Sequence, residues 1–228
     1  MVMNILLDDP ETEKIFQELL AKIRLRKNGE TVAQMKAHGI VYKMNWGASV
    51  ISLRELSRQY EKNHLLALKL WNKQWRETMI LATLLDEPEK LTEEQMDFWT
   101  KSFEQAEIAE QAVANLFVYS KFAFIKALEY CCGKKQLVKY TGLHLIGRLA
   151  MVDKKAIDEM FEPFFNVLFS LIKDPELGQI IYRTVILMAN RGTTLRESCK
   201  NFLELVLEME EEHPKKLAAI LLEDIASM

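Results

Sequence analysis

The chain has 228 residues, with 30 Lys and Arg against 33 Asp and Glu, a formal net charge of −3 and a pI near 5.9. That balance excludes a uniformly basic nucleic-acid binder, so any affinity for phosphate must come from a local concentration of charge. Eight Gly and five Pro are too few to punctuate many strands, and the class reads as all-α. Three cysteines, Cys131, Cys132 and Cys199, form neither a disulfide framework nor a metal-ligand spacing, as suits a reducing compartment. The N-terminal MVMNILLDDP lacks a cationic leader, and no apolar run approaches the roughly 18 residues a membrane span needs. A cytoplasmic protein of one domain, residues 1–228, is expected.

In chain order, Asp9 before Pro10 places a capping side chain ahead of a first-turn proline, opening a helix to about residue 26. Ile15, Leu19, Leu20 and Ile23 share one of its faces. Ser52-Leu-Arg-Glu55 and Thr92-Glu-Glu-Gln95 read as capping boxes, and Asn63 caps a helix carrying Leu66, Leu70 and Trp71. A further helix runs from about 75 to 85. Later helices are expected near 105–118, 121–132, 136–150, 154–172, 177–190, 195–211 and 215–226. The connections 85–92, 133–135, 173–176 and 211–216 are short and polar, which forces consecutive helices to pack as antiparallel neighbours.

The stretch from Trp46 to Trp99 carries a recognisable order of parts. A Gly47 turn precedes Leu53-Arg54-x-Leu56. Then come Ala67-Leu68-Lys69-Leu70-Trp71, Arg76-Glu77-x-x-x-Leu81-Ala82-x-Leu84-Leu85, and Thr92-x-x-Gln95 leading to Trp99. This order resembles the DNA alkylation repair family, the HEAT-like alkylpurine DNA glycosylases. The resemblance implies a solenoid of antiparallel helix pairs, an α-α superhelix, and the spacing of one helix pair every 35 to 40 residues or so agrees with it. An irregular helical bundle is the alternative.

Charge is strongly segregated. Residues 121–155 hold eight cations against Glu129 and Asp153, whereas residues 86–110 hold nine acids against Lys90 and Lys101. Lys126, Lys134, Lys135, Lys139 and Arg148 are therefore candidates to follow a duplex backbone without reading bases. A solvated helix surface is the plain reading of the same residues.

In the family, one helix carries a Trp-Asp-x-x-Asp pattern, with the last carboxylate beside the susceptible sugar. Ala106-Glu107-Ile108-Ala109-Glu110 falls on that pattern, with both carboxylates lengthened and the aromatic replaced. The resemblance implies Glu110, or else Glu107, as the anion that stabilises an oxocarbenium-like sugar when a cationic N3- or N7-alkylpurine leaves. A Trp-x-Arg-Arg run in the family resembles residues 138–147, where this chain has Lys139-Tyr140. Lys139 is then a phosphate contact and Tyr140 a stacking surface, neither reproducing a bidentate guanidinium. The later helix, which carries a Trp in the family, has none in residues 182–190.

His38, His64, His144 and His213 are scattered, and no metal or cofactor motif is present. Trp71 and Trp75, four residues apart, read as core anchors. Two functions follow. One is a DNA alkylation repair glycosylase acting on duplex DNA. The other is a noncatalytic HEAT-like module that binds DNA or a protein partner through its concave face.

Overall fold

The computed structural model describes residues 9–228, and the leader reading of the N-terminus falls largely outside them. Among the described residues there are thirteen α-helices, three short 3-10 segments and no strand. The first seven helices are α1 Pro10–Arg24, α2 Gly29–Ala37, α3 Val50–Ser57, α4 His64–Lys73, α5 Arg76–Leu85, α6 Glu93–Ser102 and α7 Ala106–Asn115. The remaining six are α8 Ala123–Cys131, α9 Gln136–Val152, α10 Glu162–Leu171, α11 Gly178–Ala189, α12 Thr193–Leu207 and α13 Glu212–Ala226. Their contacts gather in two compact units where the sequence reading took one domain. One unit comprises residues up to Met96 with Ser102–Leu116, and the other Asp97–Lys101 with Phe117–Met228.

In the first unit α5 is the hub, packed by α3, α4 and α7. It is buried nearly all round, from Ile80, Leu81 and Ala82 to Leu85, as expected of a helix with apolar residues on every side. Caps fix where its neighbours begin. Asp9 accepts from the amides of Glu11 and Thr12, and Asn63 Oδ1 from that of Leu66 at 2.9 Å. The box expected at Ser52 is displaced by one turn, because Ser49 holds the extended cap conformation and its Oγ accepts from Ser52 N–H at 3.1 Å. Thr92 caps Gln95 N–H at 3.2 Å, but the Gln95 side chain turns instead to the buried Asp86 (Nε2 to Oδ2, 2.7 Å). Only half of that box is made. Asp86 also binds His64 Nδ1 at 2.7 Å, fastening the start of α4 to the end of α5.

Gly47 is irreplaceable on two counts. Its φ is +75°, and a Cβ there would lie 2.1 Å from the Asn28 carbonyl oxygen. Asn28 in turn donates to Trp46 O at 2.8 Å and caps α2 through its side chain.

In the second unit α9 and α11 form the centre, with α8 against α9 and the α12–α13 pair against α11. The single helix expected over 154–172 is divided. Residues Asp158–Phe161 form a 3-10 segment and α10 begins only at Glu162, with Pro163 in its first turn. Arg191 explains the break. Its Nη1 donates to Ala150 O (3.1 Å) and Asp153 O (2.6 Å), its Nη2 to Ala156 O, and its Nε to Asp158 Oδ1 at 3.1 Å. The guanidinium also lies 4.8 Å from the centre of the Phe161 ring. These carbonyls need a partner because they are not in a helix.

Candidate nucleic-acid interface

The α7 carboxylates lie in the first unit. Glu107 is one-quarter exposed and faces α5, where it grips Arg76 with both oxygens: Nε to Oε2 at 2.7 Å and Nη2 to Oε1 at 2.5 Å. Tyr42 donates its hydroxyl to the same Oε2 at 2.6 Å. Arg76 is 4% exposed and continues the network, giving Nη1 to Ala48 O at 2.7 Å and to Glu77 Oε1 at 3.3 Å. Glu77, fully buried, accepts from the amides of Trp46 (3.0 Å) and Ala48 (3.3 Å). One guanidinium thus ties α7, the start of α5 and the loop before α3 together.

Electrostatics follow the geometry. Burial pushes the Glu107 carboxyl up, but the Arg76 hydrogen bonds and charge and the Tyr42 hydroxyl outweigh it, holding the group below the usual carboxylate value. Burial first, then the anion of Glu107, drives the Tyr42 phenol well above its ordinary value. Both effects keep Glu107 ionised and Tyr42 protonated as its donor.

Glu110, one helical step further, is half-buried and stands outside the Arg76 pair. Beside it on α7, Gln111 and Asn115 receive Arg54 Nη2 at 3.4 and 3.5 Å. A pocket of about 130 Å³ opens between Tyr42, Gln74, Phe103 and Ile108, and Gln74 there adopts a left-handed φ of 57°.

The expected phosphate contacts all lie in the second unit, and they separate into two kinds. Lys126 is 3% exposed, with its Nζ 3.2 Å from Asp97 Oδ1 and 2.7 Å from Glu129 Oε2. A buried ammonium held by two carboxylates is a structural charge, so the expectation of a Lys126 phosphate contact is corrected. Lys134 and Lys135 are exposed at the turn between α8 and α9, and Lys135 donates to Lys101 O at 3.3 Å. Lys139, Tyr140 and Arg148 are half-buried along α9, with the Tyr140 ring stacked on that of His144 at 6.3 Å and 20°.

Arg76 and Tyr42 escaped the sequence reading. An Arg-Glu pair opening an otherwise apolar helix, Arg76-Glu-Thr-Met-Ile-Leu-Ala, was the available signal for the first. Among the described residues, no group of three or more His, Cys, Asp and Glu is placed to hold a metal, and no helix is long and apolar enough to cross a membrane. Cys131 and Cys199 are buried, and burial pushes both thiols up to about 12.

Comparison with known proteins agrees with this picture in the first unit. Residues 19–120 match the DNA alkylation repair enzyme family. The match takes in Arg76, Glu107 and Glu110 and ends before the basic segment. None of the curated proteins matches the sequence significantly. A solved structure from a new family of proteins related to the HEAT-like repeat DNA glycosylases, with affinity for branched DNA structures, superposes with a TM-score of 0.72 at 14% identity. The superposition covers 92% of this chain and 94% of that one. At that identity it establishes the fold, which is all-α and HEAT-like, as the helix pairing implied.

Proposed function

We propose that this is a cytoplasmic DNA-binding protein of the alkylation-repair type, which holds the phosphate backbone and does not use Glu107 for chemistry. One observation carries the reading: both Glu107 oxygens are committed to Arg76, with Tyr42 on one of them. An anion neutralised by a bidentate guanidinium has little field left for a sugar cation. Ala106 supplies no aromatic wall, and Tyr140 stands where the resemblance places an arginine. Backbone binding falls to Lys134, Lys135, Lys139 and Arg148. The fold relative's affinity for branched DNA supports testing a junction beside duplex DNA.

Glycosylase activity is the second reading, and Glu110 favours it as the half-buried carboxylate outside the Arg76 pair. The test is binding of a labelled duplex and a four-way junction at two salt concentrations. With about four phosphates neutralised, affinity should fall roughly a hundredfold between about 50 and 200 mM salt. Replacing Lys135 and Lys139 by Glu should weaken binding to all sequences alike. No binding to either DNA at low salt would overturn the proposal. Release of N7-methylguanine or N3-methyladenine above spontaneous loss, abolished in Glu110→Gln and retained in Glu107→Gln, would establish the second reading.

A further inference from the structure

Tyr140, His144 and Arg148 succeed one another at four-residue intervals along one side of α9. Arg183 comes from α11, which is held to α9 where Thr184 Oγ1 donates to Leu143 O at 2.9 Å. Gly147 permits that approach, since a Cβ there would stand 3.0 Å from Leu187 Cδ1 and 3.4 Å from Thr184 Cα. Arg183 precedes Thr184 and His144 follows Leu143, so the crossing brings the charge of Arg183 to bear on the imidazole.

Two features of this cluster are unsatisfied. The His144 side chain is buried, at 8% exposure, and stacks on Tyr140, but no hydrogen bond ties its ring to a described residue. Arg148 Nε is buried without an acceptor, and its Nη1 meets only Met151 Sδ at 3.9 Å. A buried donor without a partner is costly, and a guanidinium calls for an oxyanion.

Burial first, then the charges of Arg183 and Arg148, lower the His144 pKa to about 4. The ring is therefore neutral at neutral pH. Other ionisable groups on the packed elements are turned to partners of their own: on α8, Lys126 pairs with Glu129, and on α11, Tyr182 donates to Asp224 Oδ2 at 2.6 Å. Tyr130 of α8 is buried, and Tyr119 before α8 is exposed.

We propose that His144, Arg148 and Arg183 form an oxyanion site for a phosphate group, and that His144 takes up a proton when the phosphate binds. The site deepens the DNA-binding reading if the phosphate belongs to a nucleic-acid backbone, although inorganic phosphate offers the same oxygens. An anion here cancels the repulsion between imidazolium and guanidiniums and gives the ring an acceptor. Affinity then rises as pH falls through the bound-state pKa of His144 and is flat above it.

The test uses the whole chain with histidines labelled at Cε1, the His144 resonance being assigned with His144→Gln. Its titration between about pH 4 and 8 is followed alone, with a four-way junction and with inorganic phosphate. The midpoint should rise by about one unit or more, a tenfold gain in proton affinity, with either source of phosphate. Arg183→Gln should suppress the rise and lower the salt slope of DNA binding by about one. A rise with inorganic phosphate in a protein that binds no DNA keeps the site and removes the DNA reading. DNA binding with the His144 midpoint unmoved by either probe overturns the site and leaves the DNA reading intact. If Arg183→Gln fails to fold, the wild-type titration still decides.

Discussion

Each unit contains one deeply placed arginine, and the two are satisfied in opposite ways. Arg76 meets two carboxylates, Glu107 and Glu77, and a single carbonyl. Arg191 meets three carbonyls and a single carboxylate, Asp158. The first balances charge with charge across helices far apart in sequence. The second gathers the dipoles of a loop that cannot satisfy itself. Removing Arg76 leaves buried anions, whereas removing Arg191 leaves carbonyls that water can reach as the loop loosens.

The largest expected effect follows from that asymmetry. Arg76→Ala should destabilise the protein by about 3–5 kcal/mol in urea denaturation, since Glu77 and Glu107 remain without their cation. A loss no greater than that of a surface substitution would mean that the network does not hold α7 to α5. Arg191→Ala should cost about 2–3 kcal/mol, with faster amide exchange confined to residues 150–161. Should it equal or exceed Arg76→Ala, satisfaction by dipoles would be worth as much as satisfaction by charge.

Glu107→Gln gives the smallest change, about 1–2 kcal/mol, because the amide can still accept from Tyr42 or Arg76. Its diagnostic is pH. The folded-state pKa of Glu107 lies below its ordinary 4.5, so its contribution is fully present above that value and is lost as pH falls through the lower folded-state value. The variant should therefore lose less stability than the wild type on acidification below 4.5. Arg191→Ala should show no such flattening, since carbonyls do not titrate. Parallel acid profiles for the wild type and Glu107→Gln would contradict the charge-pair account.

The parts legible in sequence were those fixed by neighbours in the chain. Asp9-Pro10 and Asn63 act within three residues of themselves, and both caps form as read. Helix α2 was missed because Gly29–Ala37 buries no residue and so shows no apolar period. The break in 154–172 was hidden for another reason: its cause, Arg191, lies beyond the next helix. The site divides along the same line. The positions of Glu107 and Glu110 on one helix follow from spacing, but the partnership of Glu107 with Arg76 spans 31 residues and left no periodic trace. Lys126 looked like surface charge because an apolar-face pattern does not distinguish a lysine in contact with solvent from one turned to Asp97. Glu129, three residues on, was the only local hint.

Gly47 has one more consequence, which concerns how the molecule comes apart. Helix α2 buries nothing, so the core does not anchor it. It is held by the seam where Asn28 meets Trp46 and by the Asn45–Met35 contact. A side chain at position 47 would wedge that seam at the Asn28 carbonyl. Such a wedge would release α2 as a separate cooperative segment, open to protease and solvent exchange while α5 and its neighbours remain folded. In this protein a methyl group at one glycine would turn a single unfolding event into two.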